Sequence, residues 1–238
     1  MRPASLASAA LLTLALVPSA VAADLGGPRG SLKDTPSAPA YPPTAFSWTG
    51  FYVGAHLGYA WSDVDWDFGG ASASHSGSGW LAGGQIGYNL QVRQLVFGLE
   101  ADASSAWLDG STSCPNPAFV CSHSYDWLAS LRGRVGVAVN GNRTLLYGTG
   151  GVAWADIDYA AKDAATGTLS GTGFSERHVG WVAGAGIEHM LSQNLSARLE
   201  YLYYGFDGTT APAGSLGTGP AALTPATQTL RFGLNLKF

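Results

Sequence analysis

Apolar and polar residues alternate along most of this chain, and the alternation has the period of β-strands. In the first clear segment, apolar side chains occupy every second position from Phe51 to Trp61, and small or polar residues lie between them. A period of two places the two sets on opposite faces of a strand. Seven further segments repeat the pattern up to the last residue, Phe238. The chain is therefore predicted to be all-β, with eight strands.

Each predicted strand is defined by its apolar column. The columns run from Phe51 to Trp61, Trp80 to Leu90, Leu95 to Ala103, Tyr125 to Val139, Leu145 to Tyr159, Val179 to Ile187, Leu195 to Tyr203 and Leu230 to Phe238. In the fifth column, the glycines at 148, 150 and 151 leave the register open. The 3.6-residue period of an amphipathic helix does not occur after residue 23, which also favours an all-β fold.

The connections between these strands alternate in length. Short turns are predicted at 91–94, 140–143 and 191–194, and long polar loops are predicted at 63–78, 104–123, 160–176 and 207–227. Short turns at one end and long loops at the other are typical of outer-membrane barrels, whose long loops face the outside of the cell. An even number of strands then places both termini on the periplasmic side.

Composition indicates which face of the strands contacts lipid. Charged residues make up only 12% of the chain, with a net charge of −4, which is too little charge to cover a soluble surface. Aromatic residues at the ends of the apolar columns predict girdles at the membrane interfaces; they include Trp61, Trp80, Tyr125, Tyr159 and Tyr203. The sequence therefore predicts an eight-stranded antiparallel transmembrane up-and-down β-barrel in a Gram-negative outer membrane. The alternative is a soluble exported lipocalin-like binder with the two faces reversed.

The N-terminus has the pattern of a secretory signal peptide. Arg2 supplies the positive charge, residues 6–17 supply the apolar region, and Ala20-Val21-Ala22 supplies a small-residue cleavage site. We predict a signal peptide over 1–22, cleaved after residue 22 or 23. A Pro- and Ala-rich periplasmic linker over 24–47 and a barrel over 48–238 are predicted to follow.

Charged residues collect in the inward columns at similar heights above the short turns. They are Glu100, Asp102, Arg132, Arg134, Arg198, Glu200 and Arg231. Side chains alone can fill the interior of an eight-stranded barrel, and unpaired charges in that space are costly. We therefore predict a salt-bridged network that plugs the lumen. The functional alternative is an ion path along the same residues.

Two cysteines lie in one predicted polar loop of this exported chain, and they predict a local disulfide between Cys114 and Cys121. A metal site needs more ligands than the neighbouring imidazole of His123 supplies, so none is predicted. The negative net charge argues against a nucleic-acid partner. Nothing in the sequence indicates a cofactor.

Signatures of catalysis are weak. Ser175 and His178 could supply the serine and histidine of a lipid hydrolase, but the alternation places them on opposite faces of the sixth strand. A nucleophile and its base must lie within hydrogen-bond reach of each other. We therefore predict that the protein is not an enzyme, and an outer-membrane lipid-modifying enzyme is the third hypothesis after a structural barrel and a small-solute channel.

The C-terminal segment alternates strictly through Phe232, Leu234 and Leu236 and ends on Phe238. This ending resembles the terminal signal by which the outer-membrane assembly machinery recognises barrels. A strand that served packing alone would not need to stop on an aromatic residue. The sequence therefore predicts the barrel-assembly machinery as a partner.

Four segments together resemble a known family: residues 48–54 (WTGFYVG), 83–89 (GGQIGYN), 200–204 (EYLYY) and the terminal Phe238. The chain resembles the alpha-proteobacterial outer-membrane immunogenic proteins, within the wider group of barrels similar to outer membrane protein A. The resemblance covers about 48–238. The resemblance implies roles in envelope integrity and surface contact, and it supplies no catalytic residues. We predict a monomer in outer-membrane lipid that presents loops to host or environmental ligands. Members are often labelled porins, although eight strands do not enclose a wide aqueous channel.

Overall fold

The computed structural model describes residues 46–67, 72–114, 118–169, 173–210 and 222–238, which form nine strands. The strands are β1 (Gly50–Asp67), β2 (Ser72–Val92), β3 (Leu95–Ser113), β4 (Phe119–Val139), β5 (Thr144–Asp163), β6 (Phe174–Met190), β7 (Leu195–Phe206), β8 (Thr209–Thr210) and β9 (Ala222–Lys237). The predicted signal peptide and the predicted linker up to residue 45 lie outside the described residues. Within the described ranges, no helix is long and apolar enough to cross a membrane.

Eight of these strands close into a ring. Consecutive strands from β1 to β7 pair antiparallel, β7 pairs with β9, and β9 pairs back with β1. Closure is continuous along β9, because Leu57 of β1 lies opposite Phe232 and Leu199 of β7 lies opposite the same residue. The two-residue strand β8 pairs with the first residues of β9, its one partner strand among the described residues. The predicted eight-stranded antiparallel barrel is confirmed.

The outward faces of seven barrel strands carry the predicted apolar columns. Along β1, for example, Phe51 is 63% exposed and Leu57 is 53% exposed, whereas Tyr52 and His56 between them are buried. An apolar outer surface with a buried polar interior is the arrangement of a membrane barrel. The same alternation holds along β9 up to Phe238.

The prediction for the fifth strand was wrong by one residue. The column from Leu145 to Tyr159 lies inside the barrel, and Leu146, Val152 and Trp154 form the outward column of β5. From Leu145 to Ala155, both faces of this strand are apolar or glycine except at Thr149, so hydrophobic alternation does not distinguish them there. A one-residue change of register moves every side chain to the other face.

A β-bulge corrects a second prediction. Asp126 of β4 is an extra residue relative to β5, between Tyr125 and Trp127. The bulge reverses the alternation above it, so Tyr125 points inward, where its hydroxyl is 2.8 Å from that of Thr227. Tyr125 and Tyr159 are therefore not girdle residues. The outward aromatic residues towards the long-loop end include Tyr59, Trp61, Trp80, Trp107, Trp127, Trp154, Trp181, Tyr201 and Tyr203.

The strands continue beyond the predicted limits at the end of the barrel that carries the long loops, called here the long-loop end. Much of predicted loop 104–123 is the paired hairpin of β3 and β4, and loops 63–78, 160–176 and 207–227 also contain strand residues. In the β3 part of loop 104–123, the outward residues Ser105, Asp109 and Ser111 are polar and only Trp107 among the described outward positions is apolar, so the sequence pattern resembled a loop. The turns at the opposite, short-turn end lie at 93–94, 140–143 and 191–194, within the predicted segments.

Candidate functional site

The middle of the lumen contains eight buried charged side chains, called here the charge belt. Four are carboxylates and four are guanidinium groups, and none is more than 5% exposed. They are Glu100, Asp102, Glu188, Glu200, Arg132, Arg134, Arg198 and Arg231. The belt is therefore electrically balanced, with four charges of each sign.

Arg132 is the centre of the belt. Its Nη2 lies 2.6 Å from Glu100 and 3.1 Å from Asp102, and its Nη1 lies 3.0 Å from Glu200. Glu100 and Asp102 come from β3 and Glu200 comes from β7, so one guanidinium joins three strands across the lumen. The planar fork of arginine suits such multiple pairing, because its five donors have fixed directions.

The other three arginines complete the belt. Arg134 lies 2.7 Å from Glu188, Arg198 lies 2.5 Å from Glu100, and Arg231 lies 2.7 Å from Asp102. Two glycines make room for them, since a Cβ at Gly58 would lie 3.0 Å from Arg231 and a Cβ at Gly233 would lie 3.0 Å from Arg198. Each of the eight charges thus has a partner of opposite sign within hydrogen-bond distance.

Hydroxyl groups satisfy much of the remaining hydrogen-bonding capacity. The Tyr52 hydroxyl donates to Glu100 at 2.6 Å and accepts from Arg134 at 3.1 Å. Tyr147 donates to Glu200 at 2.9 Å, and Tyr204 accepts from Arg231 at 2.6 Å. Buried charges are tolerated when their lone pairs and protons are satisfied in this way.

A directional chain of hydrogen bonds runs from the belt towards β1. Glu188 only accepts, so the Asn235 atom 2.8 Å from it is Nδ2; Asn235 Oδ1 then accepts from Gln85 Nε2 at 2.7 Å. Gln85 Oε1 therefore faces His56 Nδ1 at 2.6 Å, and His56 must donate there. In neutral His56 the proton is on Nδ1, and Nε2 accepts from the Ser104 hydroxyl at 2.8 Å. One carboxylate thus fixes the histidine tautomer through two amides.

Apolar layers lie above and below the belt. The layer towards the long-loop end, called here the upper layer, contains aliphatic and aromatic side chains such as Leu81, Leu108, Leu128, Ile157, Tyr159, Val182, Leu202 and Phe206. The layer towards the short-turn end, called here the lower layer, consists of Trp48, Val96, Ala138, Leu145, Tyr147 and Met190. The belt is therefore separated from water on both sides by packed apolar side chains.

All seven charged residues selected from the sequence lie in this belt. Sequence reasoning missed Glu188, without which the set contains three carboxylates and four arginines. The signal was available, because Ile187 belongs to an outward column and its neighbour must then face inward. Sequence reasoning also missed six residues that form hydrogen bonds with the belt or with the chain that leads from it, because no charge marks them in the sequence. They are Tyr52, His56, Gln85, Tyr147, Tyr204 and Asn235.

Comparison with known proteins assigns the chain to a family. A sequence profile for the outer membrane protein beta-barrel domain matches residues 35–238. The chain belongs to this family of outer-membrane β-barrels. The predicted family and the predicted location in a Gram-negative outer membrane are therefore confirmed.

Two relatives that are 32% identical agree with this assignment. The 25 kDa outer-membrane immunogenic protein of Brucella canis is 32% identical over 250 residues, covering 98% of this chain and 99% of the relative. The 22 kDa outer membrane protein of Rhizobium leguminosarum bv. viciae is 32% identical over 196 residues, covering 82% and 80%. Among solved structures, the outer membrane protein OprG from Pseudomonas aeruginosa is 15% identical with a TM-score of 0.49, covering 80% of this chain and 97% of its own.

Two further groups in this outer-membrane barrel bear on chemistry. Ser175 is exposed on the outer face of β6 and donates a hydrogen bond to Asp158, whereas His178 is buried on the inner face, 3.0 Å from the Tyr159 hydroxyl. The two side chains therefore do not form a dyad. Among the described residues, no group of three or more His, Cys, Asp or Glu side chains is arranged to hold a metal ion.

A disulfide joins Cys114 and Cys121 at the long-loop end. Both sulfur-bearing side chains are buried and belong to the upper layer. The bond therefore ties the end of β3 to the start of β4 directly above the packed interior.

Proposed function

We propose that this protein is a structural outer-membrane barrel whose lumen is closed to solutes. The observation that carries the proposal is the charge belt, in which eight buried and balanced charges lie between two apolar layers. An open aqueous path would need water beside these groups, but all eight are at most 5% exposed. Barrels of eight strands are filled by their own side chains, whereas water-filled porins have 16 to 18 strands.

The energetics of the belt support a permanent plug. Opening a path through it would separate Arg132 from at least one of its three carboxylates. Removing one partner of a buried ion pair leaves an uncompensated charge and costs about 3–5 kcal/mol. The apolar layers limit the water that could otherwise solvate such a charge, so each separated pair would carry most of this cost.

Conductance tests the proposal directly. The full-length barrel reconstituted in a planar lipid bilayer is expected to give no single-channel steps, while a wide porin inserted by the same procedure verifies that channels are detected. Single-channel steps whose size or ion selectivity changes in Arg132→Met or Glu100→Gln would replace the closed barrel with a small-solute channel. Lipid A that differs between a wild-type and a deletion strain would instead favour a lipid-modifying enzyme.

The proposal includes an orientation. We infer that the short-turn end and both termini face the periplasm, because barrels of this class have short periplasmic turns and longer external loops. The extended ends of β3, β4 and β5 would then project outside the cell and supply a surface for host or environmental ligands, with the disulfide joining β3 to β4 there. An epitope inserted at Gly167 should be accessible on intact cells, and one inserted at Gly141 should not; the reverse result would invert the orientation.

The last strand supports a proposed contact with the assembly machinery. Phe232, Leu234 and Leu236 project outward from β9, and the terminal Phe238 is 71% exposed. Because β9 closes the ring against β1, its outer face is available to a partner only from the lipid side or before closure. Deleting Phe238 should reduce insertion in cells and leave refolding in detergent unchanged. Equal insertion of both chains in cells would contradict this role.

A further inference from the structure

The four residues that precede β1 lie across the short-turn end of the barrel. This segment, called here the strap, consists of Phe46, Ser47, Trp48 and Thr49. Trp48 is only 2% exposed, although it lies outside every strand. Burial this complete means that the short-turn end of the barrel encloses the Trp48 side chain.

One side of the strap is bound by the end of β2. The Trp48 amide donates to Gln91 Oε1 at 2.9 Å, and the Gln91 amide donates to Thr49 Oγ1 at 2.9 Å. Lys237 at the end of β9 also donates to the Ser47 carbonyl. These contacts hold the strap at three successive residues beside β1, through the backbone of Ser47 and Trp48 and the side chain of Thr49.

The indole of Trp48 reaches the opposite side of the opening. Its Nε1 donates at 2.9 Å to the carbonyl of Asn142, in the turn between β4 and β5. Asn142 has a positive φ of 65°, a conformation that asparagine tolerates better than most residues. Phe46 packs beside it, with the Arg143 guanidinium 4.7 Å from its ring centre. The strap therefore spans the mouth from the end of β2 to the turn between β4 and β5.

A chamber of about 10 Å³ lies beneath the strap, and the belt residue Glu188 forms part of its wall. Its inner wall also contains Trp48, Asn89, Ser196 and Asn235, and the four polar residues of this wall are only 2–6% exposed. Its outer wall includes Asn194, in the exposed turn between β6 and β7. Asn89 Oδ1 has no hydrogen-bond partner among the described residues. A buried polar atom of this kind is costly to leave unsatisfied and is readily satisfied by water.

We propose that the strap is a lid that opens and closes this chamber independently of the belt. Strand pairing begins at Gly50, so release of Phe46–Thr49 would break contacts with turns and side chains but no strand ladder. The belt is built on β3, β4, β6, β7 and β9, and it would keep its ion pairs. Because the chain enters the barrel through the strap, a pull on the residues before Phe46 would reach Trp48 before it reached a strand.

A single buried thiol can report on the lid. The two cysteines of the sequence are bonded to each other, so Ser196→Cys introduces the only free thiol. In the full-length folded protein, a small charged methanethiosulfonate reagent should modify this thiol slowly. Adding Trp48→Ala should raise the rate about 10-fold or more, since labelling then no longer waits for a local opening. Equal rates in the two proteins, whether fast or slow, would overturn the lid.

Two further variants separate the lid from the closed belt. Trp107→Ala removes an exposed outer tryptophan and should leave the Ser196→Cys rate unchanged. Ser104→Cys places the thiol above Asp102 on β3, beyond the belt, and should remain unreactive when Trp48→Ala is added. A large rise at position 104 would contradict the closed lumen of the proposed function, whereas a rise at 196 alone supports both. A folded barrel migrates differently in a gel before and after boiling, and the band that shifts is called here the heat-modifiable band. If Trp48→Ala loses this band, the variant has not folded. Gln91→Ala then provides the same test by removing the side-chain contact of the strap.

Discussion

The charge belt and the upper layer fill neighbouring parts of one lumen by different means. In the belt, each group has named partners at fixed distances, as Arg132 does with three carboxylates. In the upper layer, side chains such as Leu128 and Ile157 are equally buried but have no directional partners. The comparison indicates that the lumen of a narrow barrel can be filled either by paired charges or by packed apolar side chains. Substitutions in the two regions should therefore destabilise the barrel in different ways.

The position of the belt between apolar layers makes its pairing more demanding. Exclusion of water strengthens each ion pair, but it also raises the cost of a charge without a partner. An apolar layer responds to a lost methyl group by partial collapse around the cavity. The belt has no equivalent relaxation, because the charge itself remains when its partner is removed.

The largest expected effect comes from removing the central arginine. Arg132→Met should lower the free energy of unfolding by about 3–5 kcal/mol, since Glu100, Asp102 and Glu200 each lose a buried partner. The measurement is the urea dependence of tryptophan fluorescence and of the heat-modifiable band in detergent or vesicles. Arg132→Lys should also be destabilising, because an ammonium group cannot reproduce the fork of contacts.

A matched control lies on the outer surface. Arg177 is 69% exposed on its side chain and lies 4.0 Å from Asp156, so Arg177→Met should change stability by no more than about 0.5 kcal/mol. Similar losses in Arg132→Met and Arg177→Met would show that the belt is no more important than a surface ion pair.

In the upper layer, the loss of side-chain volume should lower stability, whereas a change of side-chain shape at constant volume should have a smaller effect. Leu128→Ala should cost about 2–4 kcal/mol through lost burial and the cavity left behind, whereas Leu128→Met should cost less than about 1.5 kcal/mol because volume is conserved. The same urea titrations measure both variants. A Leu128→Met protein as unstable as Arg132→Lys would remove the proposed difference between the two layers.

The sequence was most informative where charge marked the inward face. On β3, β4, β7 and β9, charged residues such as Glu100, Arg132 and Arg231 alternate with the apolar columns. The face of each strand that points inward, and the height of the charges in the barrel, could therefore both be predicted. A charged side chain facing lipid is costly, and this constraint decides the assignment. Glu188 obeys the same rule and could have been found by it.

The sequence was least informative where both faces are apolar or the period is broken. On β5, inward Leu145 and outward Leu146 have the same hydrophobicity, so tertiary packing determines the face. The bulge at Asp126 shifts the period without a composition signal, and it moves Tyr125 from the predicted girdle into the lumen. The position of Trp48 depends on contacts with Gln91 and Asn142, which are more than 40 residues away in sequence, and no local pattern contains them.

The smallest expected effect concerns Asp163, an exposed carboxylate at the end of β5 that can be compared with the buried carboxylates of the belt. Asp163 Oδ1 accepts from the Thr166 amide at 2.8 Å, the Thr166 hydroxyl at 2.9 Å and the Ala165 amide at 3.0 Å. These hydrogen bonds favour the charged form and lower the pKa of Asp163 below its ordinary value, with the Thr166 amide making the largest contribution. Because the folded pKa is depressed, the stabilisation of the turn is present above the ordinary aspartate pKa of about 3.9. It is lost as the pH falls through the folded pKa.

The turn is therefore expected to loosen only in acid, with no change in the unfolding of the barrel. In an NMR titration, the Thr166 amide shift should move with a midpoint below about 3.9, the ordinary value for aspartate, and Asp163→Asn should abolish this titration. The substitution removes a charge, as Arg132→Met does, but the group is open to solvent and the lost interactions are replaced by water. A midpoint at or above the ordinary value would contradict the hydrogen-bonded turn. A global loss of stability in Asp163→Asn would instead show that burial is not what separates the belt from the surface.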